Sequence, residues 1–227
     1  MTASIEQTRQ TVTDLIYDRL YRQVIENDLP PGTKLSEAEV ARKLGVSRQP
    51  VRDAFYRLSQ RGFLLVRPQR ATLVSPISVE AVMQALFIRT ALEAATVTAA
   101  AEMGTDADFA MLDGLLDNQR KAVEADDRMG FHRLDDALHH RICALAGHDY
   151  AWTLIREHKA HMDRIRFLSL SFTAHDALAE HRDIVSAIRA RDAHAAVAAT
   201  RHHLSRIAAS IERIHEDNPN LFDQDQE

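Results

Sequence analysis

The sequence predicts a mainly α protein in two parts: three helices with a small β-hairpin, then an all-α bundle of about six helices. Three observations carry that prediction. Apolar residues recur at helical spacing through most of the 227 positions, and only residues 63–66 and 72–74 read as β-like runs. Charge divides along the chain, with 12 Lys and Arg against 8 Asp and Glu in residues 1–77 and 16 against 25 in the remainder. All 12 histidines lie beyond residue 130, so two chemistries are split between two domains. The boundaries that follow are a flexible N-terminus over 1–9, a first domain over 10–76, a second over 77–217 and a flexible tail over 218–227.

A first helix is expected over residues 11–27, with Leu15, Ile16, Leu20, Val24 and Ile25 facing inward. The Pro-Pro-Gly of residues 30–32 ends it in a turn. Ser36 caps a short second helix, with Glu39 three residues on as a capping box and Val40, Ala41 and Leu44 as its apolar side. Gly45 tolerates the left-handed conformation that a tight turn needs. Ser47 is a good N-cap for the third helix, and Pro50 falls in its first turn, where a missing N–H does no harm. Val51, Ala54, Phe55 and Leu58 mark the buried stripe of that helix, and Gly62 ends it. The two β-like runs, separated by residues 67–71, stand where a wing would, and the whole reads as a winged helix-turn-helix. Arg48, Gln49 and Arg52 sit at the N-terminal end of the third helix, which suits a DNA major groove. Arg reads guanine edges, Gln reads adenine edges, and a helix N-terminus favours phosphate.

Residues 75–77 form a short linker, and six helices follow, over about 78–103, 105–125, 128–146, 150–170, 173–190 and 192–215. Helices of this number and length enclose a core and a cavity. No apolar run is long enough to span a bilayer, and the N-terminus has no signal-peptide pattern, so a cytoplasmic protein is expected. The single Cys143 excludes an internal disulfide. No phosphate loop or nucleophile motif is present, and His158 with His161 lacks the glutamate of a metalloprotease helix. Those two histidines are expected on a solvated face, and Trp152 in the core or an interface.

The inner face of the third body helix runs through Phe131, Leu134, Leu138, Ile142 and Leu145, and Asp135 and His139 flank it one turn apart. Asp136 and His140 share that spacing but fall on the opposite, wet face. His181 lies on the inner face defined by Leu178, Ile184, Val185 and Ile188, and His203 lies at the edge of the inner face of the last helix. One carboxylate with three imidazoles suits Zn, Ni or Mn as a divalent ion, with a position left for water or a ligand oxygen. The same spacing serves histidines hydrogen-bonded in a core, and the residues alone leave both readings open. Arg89, among Val82, Leu86 and Leu92, has Glu93 one turn on, which fits an internal ion pair.

The run Pro31-Gly-Thr-Lys-Leu-Ser-Glu37, then Leu44-Gly-Val-Ser-Arg-Gln-Pro-Val-Arg52, then Arg61-Gly-Phe63 resembles the DNA-binding domain of the GntR family of bacterial transcription regulators over about residues 10–76. The resemblance implies that Ser47, Arg48, Gln49 and Arg52 meet DNA, with Arg70 on the wing. Ala38 and Ala71 depart from the arginine and glycine common there. Asp135, His139, Glu180-His181 and His203-Leu204 resemble the all-helical FCD ligand-sensing domain of the FadR subgroup over about residues 79–215. That likeness implies a metal held by Asp135, His139, His181 and His203, a small carboxylic acid beside it, and Arg89 gripping the acid's carboxylate. Together these give a homodimeric repressor on an inverted-repeat operator, relieved by the acid. The alternatives are a metal-dependent hydrolase or lyase with a DNA-binding head, and a regulator whose histidines are structural.

Overall fold

A computed structural model describes residues 10–66 and 71–223, which fall into two compact units divided between Pro76 and Ile77. The first unit contains α1 (Val12–Ile25), β1 (Lys34–Leu35), α2 (Glu37–Leu44), α3 (Arg48–Gln60), β2 (Leu64–Leu65) and β3 (Thr72–Val74). Thr11 and Asp14 close a full capping box at the start of α1. α1 packs on α3, and Ile16, Leu20, Val24 and Ile25 share a core with Val51, Ala54, Phe55 and Leu58. Leu15, expected inside, is 55% exposed, because the inward face of α1 centres one residue later, on Ile16 and Tyr17. Gly45 ends α2 at φ 65°, and α3 starts three residues on. Ser36 accepts the Glu39 N–H, but the capping box expected there is only half made.

The expected hairpin is part of a three-stranded antiparallel sheet in the order β1-β3-β2. The register pairs Lys34 with Leu73 and Leu64 with Val74. The extra strand is two residues long, too short for alternation to announce it. Arg70, named for the wing, lies outside the described residues, as do residues 1–9, for which a flexible N-terminus was expected.

The second unit is helical: α4 (Val79–Met103), α5 (Asp106–Glu124), α6 (Arg128–Leu145), α7 (Asp149–His158), α8 (Ala160–Arg189), α9 (Ala193–Ser205) and α10 (Ile207–Asp217). Ser78 caps α4, Thr105 and Asp108 cap α5 reciprocally, and Asp127 caps α6. α4 packs against α6, α7, α8 and α9, and α8 also packs against α5, α6, α9 and α10. The buried face of α4 is apolar at both ends, through Val82 and Ala85 and through Val97, Ala100 and Ala101. Its middle carries Arg89 and Glu93, which are as buried as the apolar positions.

Two helix boundaries differ from expectation. The break expected at residues 171–172 falls at Lys159, so α8 runs unbroken for 30 residues. Ser169, Ser171 and Thr173 bond back to carbonyls in their own preceding turns and keep that polar stretch helical. Lys159, 1% exposed, is held by Asp136 and Asp163, so tertiary ion pairs place the break. The last expected helix is divided at Arg206 into α9 and α10.

The tail over 218–227, expected to be flexible, is folded as far as it is described. Residues Pro219–Leu221 make a 3-10 turn, Leu221 and Phe222 are buried, and Phe222 pairs with Ile77 in a parallel bridge. Burying two large apolar side chains is worth about 1.5–3 kcal/mol each, enough to fix an otherwise polar segment. His161, expected on a wet face, is partly buried and its Nδ1 accepts the Ser78 N–H at 3.2 Å, at the start of α4. Trp152 is buried with Cys143 and Ile155.

Candidate functional site

Four side chains from three helices converge in the second unit. Asp135 and His139 stand on α6, His181 on α8 and His203 on α9. One donor atom from each lies within 4.8 Å of the others. Asp135 Oδ1 is 3.1 Å from His181 Nε2 and 3.9 Å from His139 Nε2. His181 Nε2 is 3.3 Å from His203 Nε2.

The outer ring nitrogens say where the protons sit. His139 Nδ1 meets Glu93 Oε2 at 2.7 Å, His203 Nδ1 meets Glu180 Oε2 at 2.8 Å, and His181 Nδ1 meets Gln119 Oε1 at 2.8 Å. Gln119 is oriented in turn, since its Nε2 donates to the Leu134 carbonyl at 3.1 Å. All three outer partners are acceptors, so each Nδ1 carries a hydrogen. Burial pushes the His181 and His203 imidazoles well below the ordinary histidine range, and neighbouring imidazoles push the same way, so both rings are neutral. A neutral ring has one N–H. The Nε2 lone pairs of His181 and His203 therefore face one another, and that of His181 also faces Asp135 Oδ1, with no hydrogen between them. His139 Nε2 is buried with no hydrogen-bond partner among the described residues. Facing acceptors repel, and a divalent cation relieves the repulsion. Three imidazole nitrogens and one carboxylate oxygen fit Zn²⁺, Ni²⁺ or Mn²⁺. Acceptors on the far nitrogens are the outer shell that such ligands use to fix tautomer and orientation.

Arg89 is 1% exposed and its Nε donates to Glu93 Oε1 at 2.6 Å. Burial alone would raise the Glu93 carboxyl, but Arg89 and then His139 outweigh it and hold it well below the usual carboxylate range. Glu93 thus ties the guanidinium to the histidine cluster, one oxygen to each. Arg89 also lines a cavity of about 70 Å³ that reaches Asp135 and His203. Its Nη2 is buried with no hydrogen-bond partner among the described residues. The ion pair and a free donor at the cavity therefore coexist on one side chain.

Arg166 on α8 pairs with Asp135, and it reaches Asp136 and Asp163 at 3.0 Å each. Lys159 Nζ lies 2.8 Å from Asp136 and 2.5 Å from Asp163. Asp136 was expected on a wet face. It is only partly exposed, because α6 is packed by α5, α7 and α8 as well as α4. Arg166, Lys159, Gln119 and His132 were not singled out by the sequence, since nothing in their local spacing announces partners on other helices.

The first unit presents a second candidate surface. Ser47, Arg48, Gln49 and Arg52 are all exposed at the start of α3. Ser47 occupies the N-cap position, but its side chain makes no capping hydrogen bond. Arg48 and Arg52 both approach Glu37 of α2, at 3.5 and 3.4 Å, and Gln49 donates to Asp53 at 2.9 Å. Exposed pairs of this kind are worth about 0–1 kcal/mol, so phosphate or base edges can displace them. Tyr56, one turn beyond Arg52, is 63% exposed and extends the same face.

Among the described residues no helix is long and apolar enough to cross a membrane. Residues 12–74 match the model of bacterial regulatory proteins of the gntR family, and residues 84–206 match that of the FCD domain. The chain is similar to the HTH-type transcriptional repressor RspR of Escherichia coli (strain K12), with 37% identity over 218 residues, covering 95% of this chain and 96% of that one. It is 29% identical over 201 residues to the probable D-xylose utilization operon transcriptional repressor of Paenarthrobacter nicotinovorans, covering 87% and 88% of the two chains. Of solved structures, E. coli McbR/YncC has the same fold, with a TM-score of 0.76 at 22% identity over 90% of this chain and 99% of that one.

Proposed function

The chain belongs to the gntR family of bacterial regulatory proteins and carries an FCD domain, and from that premise we propose that a divalent metal ion and a small organic acid, bound in the second domain, control the grip of the first on an operator. The family and the relatives named above are transcription regulators rather than enzymes, which retires the hydrolase or lyase alternative. The observation that carries the proposal is the convergence of the three Nε2 atoms and Asp135 Oδ1, each imidazole held from behind by an acceptor. A structural histidine would use both ring nitrogens within the protein, and His139 does not.

Asp135, His139, His181 and His203 would hold the ion. When bound, it supplies positive charge and an open position for a carboxylate oxygen. Arg89 offers the acid a guanidinium donor that its pairing with Glu93 leaves over. Because Glu93 touches both Arg89 and His139, an acid drawn to Arg89 is sensed on α4 and α6 together. For control, the acid must bind one arrangement of these helices more tightly. A coupling of about 1–3 kcal/mol would change operator affinity roughly 5–150-fold. Val79, Met83 and Phe87, exposed one turn apart on α4, support the homodimer reading as a face for a second copy.

Two results test this. Exhaustive chelation of untagged protein is expected to remove metal, measured by elemental analysis, and with it the release of an operator duplex by small acids. The helical signal in circular dichroism should survive, because Arg166 and Lys159 still answer the acidic groups. Metal absent from freshly purified protein, or helix lost on chelation, counts against the reading. Separately, Arg48→Ala and Arg52→Ala are each expected to cost about 1–3 kcal/mol on the cognate operator, which is roughly 5–150-fold, and much less on a scrambled duplex. Equal losses on both duplexes would assign these arginines to phosphate.

A further inference from the structure

Gln49 and Asp53 are exposed one turn apart on α3, and Gln49 Nε2 donates to Asp53 Oδ1 at 2.9 Å. An ionised carboxylate only accepts, so the end of the amide turned toward Asp53 is its NH2. One of the two amide hydrogens is thereby taken up inside the protein. The other hydrogen and the carbonyl oxygen Oε1 remain for a partner. The arginines of α3 do not compete for Asp53: Arg48 and Arg52 approach Glu37, and Arg57 lies 2.8 Å from Asp14.

Resting on the proposed DNA-facing role of α3, we infer that Asp53 is a positioning residue for Gln49 and makes it discriminate adenine from guanine. In the major groove adenine offers an N6–H donor beside the N7 acceptor, whereas guanine offers two acceptors, O6 and N7. An unrestrained glutamine amide answers both purines. It meets adenine with Oε1 and one N–H, or turns its NH2 end toward the two guanine acceptors. Tied to Asp53, the amide has one donor and one acceptor left, which is the complement of adenine. Against guanine, Oε1 would meet O6, acceptor to acceptor. Turning the NH2 end onto guanine instead would take the donor from Asp53 and leave an anion beside two further acceptors. Repulsion there is less screened than in water, because the groove contacts exclude solvent. The bond between Gln49 and Asp53 is weak in the free protein. Its weight lies in the comparison: reading adenine leaves it in place, and reading guanine breaks it.

The test uses full-length protein and a randomised duplex pool, from which bound sequences are selected and read. Gln49→Ala identifies the base pair that Gln49 reads, as the position whose preference disappears. The wild type is expected to favour adenine over guanine there by at least about tenfold in Kd, measured by fluorescence anisotropy on two duplexes that differ only at that pair. In Asp53→Ala the ratio should fall to within about threefold, through tighter binding of the guanine duplex, with preferences at the other positions unchanged. Alanine suits an exposed helical position, so the variant keeps its fold. Asp53→Glu, which keeps a carboxylate on the same face, should restore most of the ratio. A ratio unchanged in Asp53→Ala overturns the inference. Preferences weakened at every position in Asp53→Ala assign the residue to the fold of α3 and overturn it too. A cytosine preference lost at a neighbouring pair makes Asp53 a direct reader, which also overturns it. If Gln49→Ala alters no position, Gln49 reads no base and the inference falls, while the arginines of α3 keep their role. If the pool yields no preferred sequence, the DNA-facing reading of α3 falls with it.

Discussion

His181→Ala is expected to reduce metal from stoichiometric to trace levels and to leave the protein bound to its operator whatever acid is added. His181 supplies the most enclosed of the four donor groups, at 0% exposure, and its Nε2 lies 3.1 Å from Asp135 Oδ1 and 3.3 Å from His203 Nε2. Disturbing an outer-shell partner costs about 10–100-fold in metal affinity, and losing the ligand itself should cost at least the upper figure. Gln119→Leu supplies the graded comparison, because it removes only the acceptor behind His181. His202→Ala is the control: its side chain is 65% exposed, and metal content and acid response should not move. Elemental analysis and operator binding by fluorescence anisotropy read all three. Full metal occupancy in His181→Ala would remove that residue from the ligand set.

Arg89 should give the next largest effect, and the structure changes how it must be tested. Truncating Arg89 alone leaves Glu93 buried without its cation, a change that costs about 3–5 kcal/mol and confounds binding with folding. Glu93 also orients His139, so the damage would spread to the proposed metal ligands. The double variant Arg89→Met with Glu93→Gln avoids both problems. It removes the charge pair together, and the glutamine oxygen still accepts from His139 Nδ1. This variant is expected to keep its metal and its operator affinity while acid affinity falls about 100-fold, the scale of two charge-assisted hydrogen bonds. Acid binding at wild-type strength, measured by calorimetry, would assign Arg89 to the fold alone.

The quartet of Asp135, His139, His181 and His203 was legible because each lies on or beside the apolar stripe of its own helix, and helical periodicity is a local property. The Arg89–Glu93 pair was legible for the same reason, being one turn apart on α4. What periodicity cannot carry is which residue faces which across helices. Gln119 behind His181 spans 62 positions, and Lys159 with Asp136 spans 23. Asp136 shows the limit most clearly. A helical wheel assumes one dry side and one wet side, whereas α6 is packed on several sides. The helix break at Lys159 escaped for a related reason: it depends on two carboxylates, one of them on another helix, and not on a glycine or proline in the chain. The folded tail escaped because Leu221 and Phe222 are a lone apolar pair among polar neighbours, and the core they join, with Ile77, Met162, Ile165 and Ile211, comes from distant parts of the chain.

Asp135 has a cation of the protein's own, Arg166, at its second oxygen. Zinc fingers lack such a substitute and stay unfolded until loaded. With the ion held as proposed, shape and loading would be separate events in the life of the molecule. A newly made chain would then reach its architecture first and acquire its ion afterwards, and occupancy would follow cellular supply. Such a regulator would answer to two variables at once, the acid and the metal ration of the cell.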